Sequence, residues 1–397
     1  MGFLSTFHKF YAYSPEAFAE DYHARRHSPG SFIFSYPLAG PDSFFCYDKE
    51  VIALCLTLAA KNAKLQDAYA SLSRLGQESL VRSLFLNDVA HSNAIEGLSS
   101  TVDGLFKLLL SAGKKPQERF SLIVAEYSLL AKGEGIPCAT LQDIRNLYDR
   151  LIGRLDGESA VEPPDGQLFR KGSVGIYDEV NPEPLHVGAP NEESIAAQLQ
   201  QALAIMATPN LDFFVRSALF HFLFESIHPF YDGNGRTGRF ILSLQYRQEL
   251  GEAIPFALSA AIAKRRPAYY RAFKETMAPQ NKGDLTTFVY PFLSIVDEAY
   301  DGLLASLQSQ GDKKARCYEA VASCRFSTSE KRLLTALIEA SLYGDFGLTV
   351  EELSQQGQAS PATTNRFLSK LKKTAGLSIA RFGKKDYFLF RLPLTSL

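Results

Sequence analysis

Apolar residues recur at helical spacing along most of the chain. Val51, Leu54, Leu58, Leu65, Tyr69 and Leu72 predict a long helix over about 48–75, with Gly76 just past its end. A second helix runs from about 78 through Leu80, Leu84, Leu86 and Val89 to 95, where Gly97 supplies a C-cap. Further helices are expected at 101–110, 118–131 and 141–152. The period is lost between 153 and 190, where glycines, prolines and short β-branched runs take over, and 169–177 reads as a hairpin. Helical spacing returns at 193–206, 213–227, 238–250, 258–264, 266–277 and 284–308. The polar run 308–314 reads as a linker. Beyond it come helices at 329–342, 349–355 and 361–374, then an apolar hairpin over 377–390 turned at Gly383-Lys384-Lys385. Three helices followed by a hairpin spell a winged helix-turn-helix. The first 45 residues, aromatic-rich and broken by Pro15, Pro29, Pro37 and Pro41, read as an extended or irregular arm packed on something larger. The expected fold is mainly α, a helical bundle with a small β-hairpin flap and a C-terminal winged module. The expected divisions are 1–110, 111–308, a linker at 309–324 and 325–397.

Between the helix at 213–227 and the one at 238–250 stand His228-Pro229-Phe230-Tyr231-Asp232-Gly233-Asn234-Gly235-Arg236-Thr237-Gly238-Arg239. The GxGxxG spelled by Gly233, Gly235 and Gly238 is not a dinucleotide fingerprint, because a helix and not a strand precedes it. Glycines at a helix start still let backbone N–H groups converge on an anion, where the helix dipole favours negative charge. Arg236 and Arg239, three apart, share a helix face and can grip phosphate oxygens. Asp232 can hold Mg²⁺ against the same phosphates, and Asn234 can bond phosphate or orient the loop. A neutral imidazole at His228 can take the proton of an attacking hydroxyl. Against this stands the reading of a helix–turn–helix corner with incidental polar residues, which leaves the order of these residues unexplained.

Charge and composition narrow the classes. The 397 residues carry a net charge of −1, which argues against a general attraction to nucleic acid or membrane. Residues 325–397 alone carry +5, so the rest carries −6. The five cysteines are scattered, without the spacing of a zinc site or a CxxC pair, and read as reduced thiols of a cytoplasmic protein. The segment 213–227 contains Arg216, His221 and Glu225, which makes it a core helix and not a membrane span. The opening six residues fit a myristoylation spelling, read as coincidence because no polybasic cluster follows.

The central stretch resembles the signature of the Fic (Fic/DOC) family, HxFx(D/E)GNGRxxR, at every specified position. The resemblance implies an all-α core that transfers AMP from ATP to a protein Ser, Thr or Tyr hydroxyl. It implies His228 as general base and Asp232 as the Mg²⁺ ligand. Gly233, Asn234 and Gly235 would form the anion hole, Arg236 and Arg239 the phosphate clamp, and Thr237 and Gly238 would complete the nucleotide-binding run. Ser92-Asn93-Ala94-Ile95-Glu96-Gly97 resembles the family's inhibitory motif, (S/T)xxxE(G/N). By that resemblance Glu96 pairs with Arg239 and keeps it from the γ-phosphate. Taken alone, Glu96 reads as a solvated helix-end residue; beside the intact loop, the switch is the favoured reading.

Other assignments are less specific. The hairpin resembles the family's flap, with Val174, Gly175, Ile176 and Tyr177 as neighbours of the nucleotide and an edge that can align a target segment. Tyr269-Tyr270 resemble a tyrosine pair near adenine, or are core. His221 reads as a structural histidine. Arg366, Lys370, Lys372, Lys373, Lys384 and Lys385 could face DNA, although a protein-interaction or dimer role suits so mild a charge better. The resulting expectation is an autoinhibited protein adenylyltransferase that uses Mg²⁺ and ATP. Its expected partners are a target protein and, as open options, its own chain and a second copy. Two alternatives remain: a Fic enzyme that moves another phosphate-containing group or removes AMP, and a DNA-binding regulator whose core senses nucleotide.

Overall fold

The computed structural model describes residues 3–38, 42–111, 118, 120–153, 162–178, 181–372 and 377–390. Gly2 and Lys373 lie outside them. The chain opens with two short helices, α1 (Thr6–Ala12) and α2 (Pro15–Arg26), and a hairpin of β1 (Ser31–Phe34) and β2 (Ser43–Cys46). This corrects the expected lack of regular elements, while the packing of the arm on the body is as expected. Ser5 and Ser14 cap the two helices, and Pro15 occupies the first turn, where its missing N–H costs nothing. The arm is pinned at Asp284, whose carboxylate accepts from Thr6 Oγ1 (2.5 Å), Arg25 Nη2 (2.8 Å) and the Thr286 N–H (2.9 Å).

The body follows as α3 (Lys49–Ala70), α4 (Arg74–Ile95), α5 (Val102–Leu110), α6 (Ser121–Ala131) and α7 (Leu141–Leu151). Then come β3 (Gly175–Asp178), β4 (Asn181–Val187), α8 (Glu192–Met206), α9 (Phe213–Ile227), α10 (Asn234–Leu250), α11 (Leu258–Lys264) and α12 (Arg266–Met277). Helix α9 runs through the centre with apolar side chains on every face, as a fully enclosed helix must. Its residues Phe222 and Phe224 are wholly buried. It therefore fixes where the loop after it begins.

The hairpin is displaced from its expected place. Gly175 pairs with Val187 and Ile176 with His186, so the partner strand is β4 and not the 169–174 segment. Pro182 and Pro184 argue against a strand in sequence, but in a two-stranded sheet both strands are edges and proline is tolerated there. Phe169 instead packs into the core against Phe230, ring centroids 5.7 Å apart.

The expected linker at 309–324 is likewise corrected. α13 (Thr286–Ser323) runs straight through it. The polar run Gln308–Lys314 is simply an exposed helix surface, anchored by buried Leu307, Cys317 and Val321. The last elements are α14 (Thr328–Tyr343), α15 (Val350–Gln356), α16 (Pro361–Leu371), β5 (Leu377–Phe382) and β6 (Lys385–Phe390). They dock on α4 and α5. Glu339 accepts from Ser73 Oγ (2.5 Å) and Tyr318 Oη (2.7 Å) and pairs with Lys314 (2.7 Å). Phe106 stacks on Phe346 at 3.9 Å and meets Phe382 and Tyr387 edge-on. No helix among the described residues is long and apolar enough to cross a membrane. All five cysteines are free.

Candidate active site

α9 ends at His228, which sits in the left-handed region (φ 55°, ψ 64°) with its N–H still bonded to Phe224 O at 3.1 Å. The chain then turns through Pro229 and Phe230 and re-enters a helix at Asn234. Phe230 stacks on Tyr148 at 3.7 Å and is fully buried, so the loop is moored from below. Asn234 closes the turn: Oδ1 accepts from the Phe230 N–H (2.9 Å) and Nδ2 donates to Phe230 O (2.8 Å). Of the two tasks expected of Asn234, the structure places it in the second, orienting the loop. Gly233 caps α10 at φ 79°, and a Cβ there would stand 2.9 Å from Ile152 Cγ1, so both conformation and space demand glycine.

The His228 imidazole lies Nδ1 3.3 Å from Glu225 O. A carbonyl can only accept, so Nδ1 carries the hydrogen and Nε2 keeps its lone pair. Burial pulls the imidazole down to about 4, so it is neutral at ordinary pH. Asp232 is the exposed group of the loop, its side chain 61% accessible, with Arg236 Nη2 3.7 Å away and its Oδ1 accepting from the Gly233 N–H. Arg236 is mostly buried, and its Nε has no protein partner. Thr237 lies inside the helix, its N–H bonded to Gly233 O at 3.0 Å and its Oγ1 buried and unpartnered.

Arg239 is held from outside the loop. Nε donates to Ser92 Oγ (2.9 Å), and Nη2 donates to Ser92 O (2.9 Å) and Glu96 Oε1 (2.8 Å). Glu96 is the C-cap of α4, and Gly97 follows at φ 70°. Burial alone would raise the Glu96 carboxyl, but the Arg239 charge and hydrogen bond hold it below the ordinary range, so it is ionised. The approach needs Gly235: a Cβ there would stand 2.1 Å from Glu96 Oε1.

A cavity of about 150 Å³ opens on this side of the loop, walled by His228, Gly235, Arg239, Glu96, Tyr269 and Tyr270 among others. That is small beside the roughly 300–1,000 Å³ of ordinary small-molecule pockets, as expected with a glutamate inside it. Tyr269 spends its hydroxyl on buried His221 Nε2 at 2.9 Å, which gives His221 the structural place expected of it. Val174 and Gly175 are not on the cavity wall; His186 of β4 is. The Ile176 and Tyr177 side chains lie outside the described residues.

Two residues at the site escape sequence reasoning. Glu225 lines the cavity with Oε1 buried and unpartnered, and burial pushes its carboxyl up to about 8. Arg170 lies wholly buried beneath the end of α9. Only the three-residue spacing of Glu225 from His228 hints at its place, and nothing in the local pattern marks Arg170.

The Fic/DOC family model matches residues 138–246, which include α9, the loop and most of α10. The matched stretch is well under half of the chain. The chain is 27% identical over 237 residues to a protein named protein adenylyltransferase Fic from Drosophila grimshawi, covering 57% of this chain and 43% of that one. It is 25% identical over 240 residues to the protein of that name from Nematostella vectensis, covering 57% and 50%. The chain thus spans half or less of the length of these relatives. In fold it is similar to a Fic family protein from Desulfovibrio desulfuricans G20, with TM-score 0.50, 19% identity, and 87% of this chain and 97% of that chain covered.

Proposed function

We infer that this chain is a Fic enzyme that transfers AMP from ATP to a hydroxyl of a target protein and that Glu96 restrains it. The observation that carries the reading is the pairing of a neutral, correctly tautomeric His228 with an adjacent anion cradle whose outer arginine is already occupied by Glu96. The names of the relatives agree with it.

The chemistry follows from the residues. The target hydroxyl attacks the α-phosphorus, its proton passes to His228 Nε2, and the bond to the β-phosphate breaks to release pyrophosphate. The N–H groups at the start of α10 and the guanidinium of Arg236 meet the growing charge on the phosphate oxygens. The exposed Asp232 carboxylate suits Mg²⁺, which is usually held by one or two carboxylates together with substrate phosphates. When bound, the ion would neutralise phosphate charge. Arg239, free of Glu96, would hold the γ-phosphate and set the α-phosphate for in-line attack. With Glu96 in place that grip is denied. The edge of the β3–β4 hairpin would align an extended target segment beside His228. Residues 325–397 we read as a winged helix, on the order of their elements, serving protein contacts.

The test uses wild type, Glu96→Gly and His228→Ala with α- and γ-labelled ATP and a lysate. Protein-bound α-label that rises in Glu96→Gly and vanishes in His228→Ala supports the reading, and γ-label alone overturns it. A second reading draws on the ionised Glu96 carboxylate at the cavity wall, which could position water to remove AMP from a modified protein. Release of AMP from premodified protein by wild type and not by Glu96→Gly would mark that activity.

A further inference from the structure

A base works only if it is held at the reacting atom, and His228 is held in a backbone conformation that side chains disfavour, φ 55°. It also stands at the carboxyl end of α9, where the last carbonyls lack helical partners and lie buried away from water. We propose that Arg170 is the positioning residue of this site: its guanidinium locks the last carbonyls of α9 and so fixes the turn from which the His228 imidazole faces the cavity. This rests on the reading of His228 as the base.

Arg170 Nε donates to His228 O at 2.7 Å and Nη2 to Ile227 O at 3.1 Å. Nη1 donates to Gly172 O, within its own loop. The rigid fork thus spans two consecutive carbonyls of the turn, which a lysine ammonium cannot do with the same fixed geometry. Burial lowers the affinity of Arg170 for its proton, and no carboxylate pairs with it among the described residues. The charge is met by carbonyl dipoles and by the negative end of the helix. The backbone repeats the grip, with the Arg170 N–H on Pro229 O (3.2 Å) and the Ala189 N–H on Ile227 O (3.0 Å).

The loop that presents Arg170 is itself tied down. Glu192, the first residue of α8, accepts from the N–H groups of Gln167 (3.0 Å), Leu168 (2.6 Å) and Phe169 (3.0 Å). Gly188 leaves no slack on the other side. A Cβ there would stand 2.6 Å from Arg170 Nη2, 2.9 Å from Ile227 O and 3.0 Å from His228 Cβ. Arg170 is not on the cavity wall, so it acts through His228 and does not touch the nucleotide there.

The test measures steady-state transfer of α-label by the full chain in the Glu96→Gly background. Arg170→Gln is expected to lower kcat about 100-fold, the scale set by roughly 1 Å of misplacement, with KM for ATP changed by less than about twofold. Arg170→Lys, which keeps the charge and one donor group, should fall between. An unchanged kcat in folded Arg170→Gln, or a KM for ATP that rises in step with the loss of kcat, overturns the proposal. Should Arg170→Gln not fold, Glu192→Gln loosens the same loop, and there kcat should fall about threefold to tenfold at constant KM. No change in kcat in that variant also overturns it. His228→Ala, run alongside, separates the two ideas. Transfer that persists in it removes the base reading whatever Arg170 does. Transfer lost there but intact in Arg170→Gln removes the present proposal alone.

Discussion

Arg170 and Arg239 are both wholly buried large side chains within one loop of each other, and they are held in opposite ways. Arg170 gives its donors to carbonyls at the end of α9 and in its own loop. Those acceptors belong to the backbone and have nowhere to go. Arg239 gives its donors to Ser92 and Glu96, more than 140 residues earlier. There the key acceptor is one carboxylate on a helix-capping residue, and its side chain keeps 32% of its surface accessible. Removing one partner of a buried ion pair leaves a charge that needs a new one, and a phosphate serves. On the proposed reading, the fixed arginine secures the base, and the contested arginine decides whether a nucleotide is gripped.

The comparison breaks first at the base. His228→Ala should lower label transfer by about 10²- to 10⁴-fold, the usual share of a positioned general base, measured in the Glu96→Gly background. Next comes the contested side. Glu96→Gly alone should raise transfer by at least about tenfold, within the 5- to 150-fold range of ordinary couplings between sites. A finer probe is Ser92→Ala, which removes the Nε acceptor and leaves the carboxylate. Transfer should rise about twofold to tenfold, the net worth of one ordinary intramolecular hydrogen bond. An unchanged rate would mean that the Ser92 hydroxyl does not restrain Arg239.

The smallest effect concerns stability. The folded Glu225 carboxyl, raised from 4.5 to about 8 by burial, keeps a proton that the unfolded chain has lost between those values. Its contribution is therefore complete below 4.5 and disappears as pH rises through about 8. In the upper part of that window, denaturant midpoints of wild type should fall with rising pH more steeply than those of Glu225→Gln. The difference is bounded by about 1.4 kcal/mol per pH unit. Parallel curves would show Glu225 ionised despite its burial. The buried His228, lowered to about 4, runs the other way: its contribution is present above 6.5 and is lost as pH falls through about 4.

The contested half of the site was legible in sequence. Gly233, Gly235 and Arg239 are local in spelling, and the Ser92–Glu96 spacing places two partners on one helix face. The bounds of α9, α11 and α12 were legible too, because helical spacing of apolar residues persists across each of them. The fixed half was not. Arg170 works through backbone carbonyls, and backbone acceptors have no spelling. Glu225 was visible only as a charge that breaks an apolar run, since its meaning comes from packing against Gly238 and lying within reach of the Arg239 charge. The linker failed for a different reason. Gln308–Lys314 is polar because that face of α13 meets solvent, and polarity alone does not separate a loop from an exposed helical turn. The hairpin was displaced because prolines in β4 hid a strand that has no neighbour on its outer side.

The most direct test is a single gel of protein-bound α-label from [α-³²P]ATP, comparing wild type, Glu96→Gly and the Glu96→Gly/His228→Ala double variant. The account predicts faint labelling in wild type, strong labelling in Glu96→Gly and none in the double variant. Equal labelling of wild type and Glu96→Gly, or labelling that survives loss of His228, would contradict it.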